Sequence, residues 1–389
     1  MNNVKTVRTV FMLVMTLGLL LGITMPAYAK GNREETAEQQ YVEDYLATMD
    51  MSGIDEGIRS LFPDTKINAE ELLRLILDGR IMEAGKELFL QMKGSLTGEI
   101  LNVRRIFLYI LVLGVISALF SGFSDLFSGQ QIASAGFYFL YLFLMAVLTG
   151  AFLIVAKIAA NAVENIVLFV KLFIPAYFTA VGAAGGTAAA VCYYQLMLLV
   201  VYFVEGFVNA VLLPFVYSYI LLALLNGIWA EEKLSLLLDL MKKGISAALK
   251  ISMGAVTGLS LVQSVVVPVA DRLKISALRK TVAAIPGVGK VAEGIAELVL
   301  GSAVLLKNSI GVLLLLLLLG SCLIPLVRIL LVTGAVKLGA AIAGIVSDKR
   351  FSGCADRVGE GCFLLFRCVF TSMLLFVIVI AVAAYTISY

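Results

Sequence analysis

DRLKISALRKTVAAIPGVGKVAEGIAELVLGSAVLLKNSIG, residues 271–311, is the longest polar break in the oily second half of the chain. Arg272, Lys274, Arg279, Lys280 and Lys290 make its first half basic against a single acid, Asp271. Ile285, Pro286, Gly287, Val288 and Gly289 then predict a tight turn. Proline holds φ near about −65° and lacks an N–H, while glycine reaches positive φ, so one helix ends and another begins there. Past the turn, Lys290, Glu293 and Glu297 share a helix face, and Lys307 and Asn308 lead into the next apolar run. A phosphate-loop reading of Pro286–Lys290 fails, because GxxxxGKS/T is absent and no parallel-sheet pattern surrounds it. The expected role of 271–307 is a loop between membrane helices. Arg272, Pro286, Gly287, Gly289 and Lys290 form its candidate turn, or a docking surface for cytoplasmic partners.

Outward from this break, the chain is too apolar to be soluble. Of 389 residues, 61% are hydrophobic and 15% charged, whereas soluble domains run nearer half apolar and a quarter charged. The excess is sorted into long runs, so the predicted fold is all-α: a polytopic transmembrane helical bundle. A net charge of +3, scattered along the chain, gives no nucleic-acid footprint. The absence of histidine excludes Ser-His and Cys-His catalysis and His-ligated zinc. Cys192, Cys322, Cys354, Cys362 and Cys368 all fall in or beside apolar segments with no CxxC spacing, which predicts buried thiols rather than disulfides or a metal site. No cofactor is expected. No protease arrangement appears either, so the chain reads as a non-enzyme.

At the N-terminus, Lys5 and Arg8 precede an apolar run over 10–23, and Ala27, Tyr28 and Ala29 supply a small-x-small cleavage pattern. Residues 1–29 therefore read as a signal peptide cut after Ala29, the alternative being an uncleaved first span. Residues 30–103 form the one sizeable water-compatible stretch, expected to be exported and to carry amphipathic helices at roughly 36–51, 69–77 and 80–93. Asn68 with Glu71 resembles a helix cap and its reciprocal partner, and Gly79 fits a stop. Some seventy residues make a small core at best, so this region is expected to lie against the membrane or a partner.

Residues 104–389 form the predicted membrane domain. A helix needs about 20 residues to cross roughly 30 Å of hydrocarbon. Expected spans are 106–123, 132–156, 166–188, 190–212, 213–228, 251–270, 309–327 and 363–386, with 329–346 a short or re-entrant piece. Pro214 is expected to mark a hairpin or break, and the amphipathic 229–250 to lie on the membrane surface. The basic 271–290 segment points to the cytoplasm, yet counting spans back from it places the N-terminal region inside as well. The exported N-terminus outranks that count, so one expected segment must be re-entrant, interfacial or misread. Arg104 and Arg105, on the exported side of the first span, also break the positive-inside rule.

Glu205 and Asn209 lie four residues apart on one helix face, deep in an apolar run. An intramembrane carboxylate is costly and usually faces a cavity or partner, which makes this pair the candidate polar site. The plainer alternatives are a helix end among headgroups, or a neutral Glu205 bonded to Asn209. Gln195 and Gln263 read as interhelical glue, and Arg328 as a membrane-face marker. Pro175, Pro214, Pro268 and Pro325 suggest broken helices of the transporter kind. Phe173-Ile174-Pro175 and Leu323-Ile324-Pro325, each followed by a Gly/Ala-rich tract, hint at two related halves.

Three features in order carry a family resemblance: Asp271-Arg272 after an apolar span, the Ile285–Gly289 turn, and Lys307-Asn308 ahead of Gly311. With the layout of signal peptide, short polar region and apolar block, the chain resembles stage III sporulation protein AE of endospore-forming bacteria. That resemblance implies a membrane component of a secretion-like channel, made in the mother cell and embedded in the membrane around the forespore. Its implied partners are the other products of its operon, including a separate ATPase and ring-forming proteins, with a forespore-made partner across the gap. Forespore integrity and late gene expression would depend on it. The other reading is a stand-alone secondary transporter for a small solute, built on broken helices and Glu205.

Overall fold

The computed structural model describes residues 52–61, 68–92, 97–126, 130–183, 187–228, 233–283, 289–347 and 349–386, with backbone alone over 264–307. All of these belong to one compact unit, Thr48–Tyr389. The expected signal peptide and the helix at 36–51 lie outside the described residues.

Among the described residues, three short helices come first: α1 (Ser52–Leu61), α2 (Ala69–Leu77) and α3 (Ile81–Met92). α2 and α3 stand where the apolar periodicity put them, whereas α1 was not foreseen. Asn68 caps α2 by accepting from the amide of Glu70 at 3.0 Å, one residue earlier than the expected box partner Glu71. Glu70 in turn pairs with Arg74. Gly79, at φ +75°, ends α2 in the left-handed region that glycine occupies without penalty. α1 packs on the long helices through Gly57, where a Cβ would stand 2.8 Å from the Phe173 ring.

The long helices are α4 (Thr97–Leu126), α5 (Gln130–Ala183), α6 (Thr187–Phe203), α7 (Leu213–Asn226), α8 (Ser235–Ala283), α9 (Gly289–Val346) and α10 (Lys349–Thr386). A π-helical segment, Val204–Leu212, joins α6 to α7 in one continuous rod. Among the described residues, five helices are long and apolar enough to cross a membrane: Tyr138–Pro175, Ala190–Asn226, Ser235–Gln263, Asn308–Ile345 and Lys349–Ala383. The expected first span, 106–123, lies within α4. The protein is an all-α, multi-pass membrane bundle.

Side-chain pairs fix the directions of the rods. Phe152 meets Tyr217 and Phe178 meets Tyr194, so α5 runs antiparallel to the α6–α7 rod. A Cβ on Gly339 would meet Ile110 and one on Gly114 would meet Ala343, so α4 and α9 run parallel. The contacts of Asp239 with Arg357, Lys242 with Glu360 and Ser246 with Arg367 set α8 parallel to α10. α9 and α10 form a hairpin about Ser347. Among the described residues, six rods thus alternate in direction.

Several expected breaks are absent. The spans 132–156 and 166–188 share the unbroken 54-residue α5, which passes through Pro175. The pieces 309–327 and 329–346 share α9, which passes through Pro325, so 329–346 is not re-entrant. α8 likewise continues past Pro268. Pro214 marks no hairpin. It stands in the first turn of α7, directly after the π-helical segment, within the continuous rod. The stretch 229–250 is not a separate surface helix. From Ser235 it is the first third of α8, and its Asp239, Lys242 and Ser246 face α10.

The two Gly/Ala-rich tracts also differ in structure. α5 ends at Ala183 and α6 begins at Thr187, whereas 334–344 continues as helix with Gly339 and Gly344 packed against Ile110 and Ser352. Four rods separate α1–α3 from the end of α8, where six spans had been expected. Both counts are even. The N-terminal helices and the basic segment therefore share one end of the bundle, which repeats the orientation conflict of the sequence rather than removing it.

Candidate functional site

Glu205 is the sole charged residue between 187 and 226, a 40-residue rod otherwise built from apolar and neutral side chains. The structure places it in the π-helical segment, one turn before Asn209. Both line a cleft of about 180 Å³ together with Val163, Glu164, Val167, Leu168 and Lys171 of α5. Lys171 Nζ donates to both carboxylate oxygens of Glu205, at 3.0 and 3.2 Å. Ion pairing with Lys171 replaces the expected alternative of a neutral Glu205 bonded to Asn209. π-helical turns recur at functional sites because they re-aim side chains that a regular helix would stagger. Here the turn presents Glu205 to the α5 lysine, with Asn209 lining the same cleft.

Energetics argue that this pair is not there for stability. Its side chains are about half exposed, 49% for Lys171 and 52% for Glu205. An exposed ion pair contributes about 0–1 kcal/mol in water. Each charge placed at a bilayer centre costs on the order of 3 kcal/mol on insertion scales. The cleft leaves both charges facing outward from the chain.

Sequence reading found Glu205 and Asn209 but missed Lys171. The signal was present: Lys157, Glu164 and Lys171 recur every seven residues on one face of α5. The other expected site fares differently. Arg272 lies in α8, and Gly289 and Lys290 open α9, so a helix ends before the turn and another starts after it. Pro286 and Gly287 lie outside the described residues. Gln195 is exposed, and Gln263 Oε1 is sheltered with no hydrogen-bond partner among the described residues. Arg328 is half-buried within unbroken helix rather than at a helix end.

A second charged cluster, unforeseen from sequence, ties α8, α9 and α10 together. Lys337 of α9 lies 3.1 Å from Asp356 and 3.9 Å from Glu360, both on α10. Glu360 also accepts from Lys242 of α8 at 2.5 Å, and Arg357 lies 4.0 Å from Asp239. Gly359 admits the Lys337 stem, since a Cβ there would stand 2.7 Å from Lys337 Cγ. Farther along α10, Arg367 donates to Ser246 at 3.3 Å and lies over the Phe363 ring. Nearby, the buried Tyr141 hydroxyl donates to Leu224 O at 2.7 Å and meets Cys354 Sγ at 3.1 Å. That approach explains Gly227, whose Cβ would overlap the Tyr141 oxygen. Cys322, Cys354, Cys362 and Cys368 are buried thiols, as expected, while Cys192 is half-buried.

Alternating apolar rods with a polar cleft on one flank define a polytopic helical membrane protein. Residues 67–386 match the family described as Stage III sporulation protein AE, and the chain belongs to that family. It is 19% identical over 379 residues to the Stage III sporulation protein AE of Bacillus subtilis (strain 168), covering 95% of each chain. No solved structure matches it.

Proposed function

We propose that this protein is a membrane component of a multiprotein, secretion-like channel between mother cell and forespore, required for forespore integrity and late gene expression. Membership of the stage III sporulation protein AE family over most of the chain is the observation that carries this reading. The all-α bundle supports it, because a multi-pass helical subunit suits a membrane channel part. In this reading the chain sits in the mother-cell membrane around the forespore. It assembles there with a separate ATPase, ring-forming proteins and a forespore-made partner. Glu205 and Asn209 form its polar intramembrane site, and the 271–307 segment its turn or docking loop. The stand-alone transporter loses its main support, since the described helices pass unbroken through Pro175, Pro268 and Pro325.

Deletion of the gene in the source organism tests the proposal, followed by microscopy with a late forespore reporter. The expected result is completed engulfment, a forespore that then shrinks, and a dark reporter. Normal sporulation would overturn it.

A further inference from the structure

The polar cleft is one part of a longer feature. Along α5, Lys157, Asn161, Glu164 and Lys171 are all exposed on one face. They cover roughly 21 Å of helix, at about 1.5 Å per residue. Glu205 and Asn209 adjoin this row from the neighbouring rod. Exposed large apolar side chains lie on both sides of Glu205 along its own rod, Leu199 at 54% and Val211 at 51%. Such flanks suit lipid, whereas a half-exposed ion pair between them does not.

We infer that Lys157, Asn161, Glu164, Lys171, Glu205 and Asn209 line one wall of a water-filled lane through the membrane. The inference rests on the channel reading and gives that reading a location in this chain. The row carries two cations and two anions, so its fixed charge balances. Its occupants are water and small hydrophilic solutes of either sign. A lane selective for one charge would need an excess of the other, as rings of acids or bases supply in ion pores. The opposite wall comes from the assembled complex, because these residues face outward from this chain.

Single cysteines at 161, 164 and 209 test the lane in membranes of sporulating cells, using the full chain with Cys192→Ser. The four buried thiols set the background. A charged, water-soluble thiol reagent is compared with a lipid-soluble one, and Leu199→Cys and Val211→Cys serve as flanking probes. Asn161→Cys, Glu164→Cys and Asn209→Cys are expected to react with the charged reagent at least about tenfold faster than the flanking probes, which instead take the lipid-soluble one. Two results would overturn the lane. In one, none of the three reacts with the charged reagent. In the other, the flanking probes react with it equally fast, which places the whole belt outside the hydrocarbon. Asn161 and Asn209 are outside the ion pair, so a folding defect from losing Glu205 does not cloud the result. Labelling reads water access alone. Normal sporulation of a deletion strain would sink the channel reading, whereas absent labelling sinks the lane alone.

Discussion

Two charged clusters in this bundle use the same side chains to opposite ends. The Lys171–Glu205 pair joins two rods at their outer flank and leaves both groups about half exposed. The Lys242–Glu360–Lys337 cluster lies among three rods and is more sheltered, with Glu360 24% exposed, Lys337 27% and Lys242 39%. Removing one partner from a sheltered network leaves a charge without compensation, which costs far more than removing one from an open pair. The inner cluster therefore holds α8 to the α9–α10 hairpin. The outer pair is free to serve contact with something beyond the chain.

Substitutions graded by expected effect sharpen that contrast. The largest falls beside the inner cluster, at Gly361, where a Cβ would overlap Ile220 of α7. Gly361→Leu should destabilise the bundle by about 3 kcal/mol, near the upper range for overpacking. A thermal aggregation curve of detergent-solubilised protein measures it, and an unchanged midpoint would mean that α7 and α10 pack less closely than described. Next comes Glu360→Ala, which strands Lys242 and leaves Lys337 with Asp356 alone. A loss of roughly 2 kcal/mol is expected, discounted from a fully buried pair for partial solvent contact. Combining it with Lys337→Ala should cost less than the sum of the single changes, and strict additivity would show that the cluster is not coupled.

Tyr141→Phe removes the donor to Leu224 O and should cost about 1 kcal/mol, as one buried hydrogen bond does. Thermal midpoints in the same detergent check this, and no shift would mean that the bond is unformed. Smallest of all, Lys171→Ala should shift stability by less than about 1 kcal/mol. A loss as large as that of Glu360→Ala would erase the distinction between the clusters.

Much of this contrast was hidden in the sequence for a physical reason. Composition and run length revealed the membrane class, and local chemistry revealed the Asn68 cap and the Gly79 stop, because each depends on residues close in the chain. Glu205 stood out since no other charge occurs in its run. Its partner Lys171 lies 34 residues away, and Lys242 lies 118 residues from Glu360. Pairs so distant follow from rod order and register, which local patterning does not encode. The prolines misled in the opposite sense. An interior proline costs about 3 kcal/mol locally. Packing along rods of 54 and 58 residues outweighs that cost, so α5 and α9 continue where local rules predict a break. The even number of rods between α1–α3 and the basic 271–290 segment was legible in part, as a contradiction between two orientation signals.

The most direct test of the division between inner clamp and outer site is spore yield set against protein abundance for Glu205→Ala and Glu360→Ala in the source organism. Glu205→Ala should keep normal abundance in the membrane and lose heat-resistant spores, while Glu360→Ala should lose both in proportion. Normal spore yield from Glu205→Ala at normal abundance would contradict the account, because the outer pair would then serve neither stability nor function.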